Sequence, residues 1–228
     1  MSKVSLVSMT NEACKVGEIY EACSPEELIL EIARVSTPLG KRSGSTNLLK
    51  YLMQHKHWSP FEMVDLTFKI VTSRAISAQL IRHRSFSFQE FSQRYSEVTE
   101  FETCAARRQD LKNRQNSVDD VNREDKAWFL QAQQIIQELA INLYEQALNK
   151  KIAKECARVL LPMSAQTILF MKGSVRSWLH YFMLRLDKAT QLEHREIANQ
   201  IFDIFALQFP VTTGAFKELN PELFVEKR

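Results

Sequence analysis

Glycine is scarce in this chain, with five in 228 residues, and none stand as Gly-x-Gly-x-x-Gly or as a phosphate-binding P-loop. If a dinucleotide binds here, no Rossmann turn holds its pyrophosphate, and basic side chains and hydroxyls must take over. The four cysteines, Cys14, Cys23, Cys104 and Cys156, show no Cys-x-x-Cys pair and no metal-type spacing, so free, buried thiols in a reducing compartment are expected. No apolar run is long enough to cross a bilayer, and Met1-Ser2-Lys3-Val4-Ser5 does not open a signal peptide. The cytosol is expected, with no membrane partner. Charge of one sign is also missing: 30 Lys and Arg against 27 Asp and Glu leave +3, too little and too dispersed to argue for nucleic acid. His55-x-His57 has no third ligand at a useful spacing, so no metal is expected. Ser92 lacks the Gly-x-Ser-x-Gly elbow of a hydrolase nucleophile.

The length and the 45% hydrophobic content suit one compact domain over residues 1–228. Ser24-Pro25-Glu26-Glu27 reads as a capping box before a helix that buries Leu28, Ile29, Ile32 and Val35 and ends near Pro38. After a loop at 40–45, a second helix starts near Asn47 and breaks at His55–Pro60. Val64 to Ile70 alternates as a half-buried strand, and a helix from about Ser73 turns Ile76 and Leu80 inward. Residues 101–125 read as a polar surface excursion. From Ala132 to Leu148 the apolar residues follow helical spacing without a gap, and Ile152, Cys156, Ala157 and Leu160 continue on another helix up to Pro162. Thr167–Met171 is a strand, and Ser174 caps the helix bearing Arg176, His180 and Arg185. A final helix uses Ile197, Ile201, Ile204 and Phe205. The expected fold class is α+β: helices packed on a small antiparallel sheet.

Chemistry concentrates between Arg82 and Ser96. Arg82, Arg84 and Arg94, with His83, Glu90 and several hydroxyls, are interleaved with Phe86, Phe88 and Phe91, which are expected to anchor a structured loop in the core. Guanidinium forks suit phosphates and other planar oxyanions because they donate paired, charge-assisted hydrogen bonds. A helix C-terminus satisfied by cations explains one or two of these residues but not the hydroxyls and Arg94 behind them. The residues alone leave two classes open. One is an enzyme acting on a polyanionic ligand. The other is a non-catalytic nucleotide or single-stranded nucleic-acid binder, which would stack bases on exposed aromatics.

Arg82-His83-Arg84, seven residues, Ser92, then Arg94-Tyr95 resembles the signature of the flavin-dependent thymidylate synthases. His57-Trp58-Ser59-Pro60-Phe61-Glu62 upstream, and Ala157 to Pro162, Arg176 to Arg185 and Gln191-x-Glu193 downstream, resemble further segments of that family in the same order. The resemblance implies reductive methylation of dUMP to dTMP, with methylenetetrahydrofolate giving the carbon, FAD the hydride and NADPH recharging the flavin. By the same resemblance, Ser59, Glu62, Arg82, His83, Arg84, Glu90, Arg176 and His180 would hold the flavin, with His57 at its folate-facing edge. Gln79, Arg82, Glu90, Phe91, Ser92, Gln93, Arg94, Arg158 and Arg185 would surround the nucleotide, and Arg185, on the uracil ring, would be catalytic. It also implies a homotetramer with shared active sites and no cysteine nucleophile. Gln89, Met63 and Ser174 stand where many family members carry Asn, His and Asn. Gln89 keeps an amide, Met63 cannot donate, and Ser174 keeps a hydroxyl with less reach.

Overall fold

The computed structural model describes residues 2–10, 24–35 and 45–224; Cys14, Cys23, Pro38 and nearly all of the loop expected at 40–45 lie outside them. Six strands are present in this part: β1 (Lys3–Met9), β2 (Asp65–Ser73), β3 (Ser87–Glu90), β4 (Arg108–Gln109), β5 (Ser117–Val118) and β6 (Gln166–Ser174). Four of them form an antiparallel sheet in the order β1-β2-β6-β3, and β4 and β5 form a separate small hairpin. The helices are α1 (Pro25–Arg34), α2 (Ser45–Gln54), α3 (Arg74–Leu80), α4 (Arg123–Asn149), α5 (Lys154–Ala157), α6 (Val175–Arg185), α7 (Leu192–Gln208) and α8 (Pro210–Leu219).

Strict alternation in β2 puts Leu66, Phe68 and Ile70 on one face, fully buried, opposite Gly173, Met171 and Leu169 of β6. That face meets α6 and α7. The Trp178 ring of α6 stands edge-on to Phe68 at 5.0 Å, and its indole N–H donates to the Leu66 carbonyl at 3.3 Å. Full burial of a tryptophan requires such a partner, because an unpaired N–H inside would cost about 1–3 kcal/mol.

Both expected serine caps form. Ser24 accepts from the Glu27 amide at the start of α1, and Ser174 from the Ser177 amide at the start of α6. Several other expectations are corrected. Val35 is not inward: it is the C-cap of α1 and 83% exposed. The helix expected over Ile152–Leu160 is only the short turns Lys154–Ala157 and Arg158–Leu160, with Ile152 and Leu160 exposed. The helix ending near Pro210 is not the last, because Pro210 starts α8 instead of ending the chain's helices. Proline is permitted at the first helical position, and the buried Glu26 carboxylate accepts from the Val211 and Thr212 amides there. The signature is not all loop, since Ser87–Glu90 pairs with β6 from Lys172 to Leu169. Finally, α4 is the expected long helix, yet Ile135, Ile136, Leu139 and Leu143 on its apolar stripe are 40–57% exposed. Only Ala140, Tyr144 and Ala147 are buried along it.

Candidate active site

The signature is delivered by the end of α3 and pinned by one ring. The His83 amide closes the last turn on Leu80, the Phe86 amide bonds the His83 carbonyl, and the chain then enters β3. Phe86 drops inward, 4.6 Å from the Trp178 ring and directly over Gly173, where an added Cβ would come within 2.5 Å of it. With His83 and Phe86 facing in, Arg82 and Arg84 must face out. Phe88 and Phe91 are only half-buried. None of the three phenylalanines is an exposed platform on which bases could stack, so the reading as a nucleic-acid binder finds no support here.

Arg82, His83 and Arg84 line a cleft of about 840 Å³ together with Glu62, Arg176, His180 and Arg185, and with Lys56 and Trp58, which the sequence reading did not assign. Among the described residues Glu62 is its one carboxylate. It accepts from Ser174 Oγ and forms an ion pair with Arg176. Burial pushes its pKa up, but the Ser174 hydrogen bond and Arg176 outweigh that and hold it below the usual range. Neither Arg82 nor Arg84 has a side-chain partner among the described residues. The cleft therefore carries uncompensated positive charge, which a polyanion would relieve.

Arg185 Nε donates to His83 Nε2 at 2.9 Å, so that imidazole is neutral with its proton on Nδ1. Burial, then the charges of Arg185 and His180, push the His83 pKa down to about 4. His194 of α7 lies behind it with the rings 6.1 Å apart, fully buried, and its pKa is pushed down to about 3 by burial, Arg185 and His83. Both groups titrate near 6.5 when unfolded, so below that pH the unfolded chain binds more protons and stability falls with acid. The loss should run from about pH 6.5 down to about 4 for His83 and about 3 for His194. Each contributes up to about 1.4 kcal/mol per pH unit in its window. Urea midpoints of the ligand-free protein should therefore drop between pH 7 and pH 5, and His194→Gln should flatten the profile. Equal midpoints at the two pH values would show that neither histidine is held neutral.

A second cavity, of about 370 Å³, lies between α3, β3 and the Arg158 turn and is lined by Arg74, Ser77, Glu90, Gln93 and Arg158. Glu90 is fixed there by Arg74 Nη1 at 2.9 Å, by Ser77 Oγ and by Thr167 Oγ1 at 3.1 Å. Arg74 also donates to the Phe91 carbonyl at 2.9 Å, so one guanidinium anchors the start of the turn that bears Ser92 and Arg94. Arg94 itself is half-exposed and pairs with Glu155.

Within one chain the residues expected around the nucleotide are thus divided. Arg82 and Arg185 line the cleft, and Glu90, Gln93 and Arg158 the second cavity. Phe91, Ser92 and Arg94 lie on the adjoining turn, and Gln79 turns toward α7. Ser59 stands exposed on the 3-10 turn Ser59–Glu62 beside the cleft, and His57 is exposed next to Tyr51 and His55. Sequence reasoning missed Arg74 and Ser77, although both stand on the helix that carries Gln79, one turn apart. Among the described residues no cysteine lines either cavity. Cys104 lies elsewhere, its thiol pushed up to about 11 by burial and by Glu193, which accepts its S–H. It is only partly buried and Cys156 is exposed, so the expectation of buried thiols is corrected at both.

Residues 18–211 match a family described as thymidylate synthase complementing protein. A flavin-dependent thymidylate synthase of Synechocystis is 56% identical over 197 residues, covering 86% of this chain and 92% of the relative. The chain belongs to the flavin-dependent thymidylate synthase family. A probable flavin-dependent thymidylate synthase of Paramecium bursaria Chlorella virus 1 is 49% identical over 81% of this chain and 87% of its own. Among solved structures, a UMP/dUMP methylase, PolB, from Streptomyces cacaoi bound with 5-Br dUMP superposes with a TM-score of 0.82 at 26% identity. That match covers 96% of this chain and 95% of PolB, so the fold of helices on a small antiparallel sheet is shared along nearly the whole length.

Proposed function

We propose that this chain is a flavin-dependent thymidylate synthase that methylates dUMP to dTMP. The observation that carries the reading is the cationic cleft, in which Arg82 and Arg84, at the family signature, have no counter-ion among the described residues. Its volume of about 840 Å³ lies within the range of cofactor sites. Arg82, Arg84 and Lys56 suit the pyrophosphate of FAD, which no glycine turn is available to hold. Trp58 and His180 offer flat surfaces to a ring system, with Arg176 tethered by Glu62 beside them. Ser59 and His83 complete that edge, and His57 serves the folate side. When bound, FAD supplies the hydride, recharged by NADPH, and methylenetetrahydrofolate supplies the one-carbon unit.

The protein's own contribution is placement and charge. The hydrogen bond from Arg185 Nε to His83 leaves both terminal nitrogens of that guanidinium for the uracil ring, where they favour charge developing on the pyrimidine. Glu90, Gln93, Arg94 and Arg158, with the Ser92 hydroxyl, hold the nucleotide phosphate and sugar from the second cavity and its turn. No thiol attacks the pyrimidine. Because one chain divides these groups between two cavities, we assign the complete site to a homo-oligomer, a tetramer. Its helices α4 would cover the exposed stripe of Trp128, Ile136, Leu139 and Leu143. Among the described residues no helix is long and apolar enough to cross a membrane, and the free thiols of Cys104 and Cys156 suit a cytosolic setting.

The purified protein should take up FAD and show an oxidised-flavin absorption spectrum that NADPH bleaches anaerobically. Reconstitution with excess FAD that leaves no bound flavin would refute the proposed function.

A further inference from the structure

Gln191-x-Glu193 has no assigned part in the site, yet its side chains open a chain of hydrogen bonds that runs inward. Arg107 Nη2 donates to Glu193 Oε1 at 2.7 Å, and Gln191 Nε2 donates to Glu193 Oε2 at 2.9 Å. Gln79 Nε2 donates to Gln191 Oε1 at 2.6 Å, and Gln79 Oε1 lies 3.2 Å from His194 Nδ1. An ionised carboxylate can only accept. Each amide beyond it must therefore present nitrogen toward Glu193 and oxygen away from it, and a carbonyl oxygen facing His194 requires the Nδ1–H tautomer. The series has one direction, set at its acidic end. The depressed pKa of Glu193 keeps that end ionised: burial pushes it up, but its own backbone amide, Arg107, Gln191 and Cys104 together hold it below the usual range.

We infer that Glu193, acting through Gln191, sets the polarity of the Gln79 carboxamide, so that Gln79 meets the bound nucleotide as a hydrogen-bond donor. The carbonyl end of Gln79 is turned toward a fully buried imidazole, whereas its nitrogen faces Gln191, which is exposed. One N–H goes to Gln191 and the second is unclaimed among the described residues. An acceptor oxygen of a nucleoside monophosphate, on the base or on the phosphate, matches it, and an amino group in that place would be repelled. Glu193 and Gln191 are positioning residues, since each acts through the next amide in the series, and the nucleotide contact is assigned to Gln79 alone. The inference rests on the flavin-enzyme reading and adds to it the direction of one recognition contact.

The test is a double-mutant cycle on the flavin-loaded protein, with dUMP affinity measured by calorimetry. Glu193→Gln removes the group that fixes the direction. Gln191→Met breaks the relay while keeping the Arg107–Glu193 ion pair, which separates polarity from stability. Gln79→Met removes the donor itself. Each single change should weaken dUMP binding about tenfold, the worth of one hydrogen bond. Glu193→Gln or Gln191→Met should cost nothing further in the Gln79→Met background. Deoxyuridine, which lacks the phosphate, locates the acceptor: weakening of both ligands assigns it to the nucleoside, and weakening of dUMP alone to the phosphate. Unchanged dUMP affinity in flavin-loaded Gln191→Met protein, or losses that multiply to about a hundredfold in the double variants, would overturn the inference and leave the flavin-enzyme reading standing. Wild-type protein that takes up no FAD would end both.

Discussion

Arg185→Ala should lower dTMP formation by about 10²–10³-fold, the usual cost of removing one preorganised charge donor. NADPH-driven bleaching of bound flavin should change far less. The asymmetry follows from where Arg185 is held. Its Nε is engaged by His83, which in the proposed function leaves its terminal nitrogens for the substrate, whereas Arg82, Arg84 and Arg176, which also line the cleft, would still be there to hold the cofactor. Its loss should therefore appear in kcat for methylation rather than in flavin content. The same variant tests sharing between subunits. Arg94 belongs to the turn behind the second cavity, which in one chain is separate from the cleft. If the two regions meet only across a two-fold interface, Arg94→Ala and Arg185→Ala chains, each inactive alone, should complement when refolded together. Random pairing places both lesions in one site of a mixed pair and leaves the other intact, so about a quarter of wild-type sites should return. Mass measurement establishes that mixed oligomers have formed. Mixed oligomers without recovered activity would place Arg94 and Arg185 in one chain's site.

Gly173→Ala should cost about 1–3 kcal/mol of stability and most of the flavin affinity, although no ligand contact is removed. Gly173 is an ordinary β6 residue paired with Leu66, so the requirement is for space and not for a left-handed backbone. An added methyl group would come within 2.5 Å of two Phe86 ring atoms and 3.3 Å of Ser177 Cβ. The ring cannot simply swing aside, because Trp178, Tyr181 and His83 surround it at 4.6, 6.0 and 6.2 Å between centroids. Phe86 must lift instead, carrying with it the turn that presents Arg82 and Arg84. A denaturant midpoint and an FAD titration measure the two effects. An alanine variant with wild-type stability and flavin affinity would mean that this contact does not hold the signature in place.

The periodic parts of this fold were legible in the sequence. Alternation in β2, the serine caps of α1 and α6, and the proximity of Arg176 and His180 on one helix face are local matters, decided by side-chain spacing and backbone hydrogen bonding within a few residues. The crowding of arginines around His83 is also plain in the sequence, and the structure sets Arg82 and Arg84 on one cleft with Arg176 and Arg185. Where local rules left a choice, long-range contacts made it. Pro210 can end a helix or begin one, and Glu26, nearly two hundred residues earlier, accepts from the first amides of α8 and settles which. The stripe on α4 is apolar in the sequence whether its partner is this chain or another, and only the packed structure leaves Ile136 and Leu139 uncovered. Neither the close approach of Phe86 to Gly173 nor the relay from Glu193 to Gln79 could be read from spacing. Each joins residues about ninety or more positions apart, and only the juxtaposition of α3 with α7, and of the signature turn with β6, sets them within contact distance.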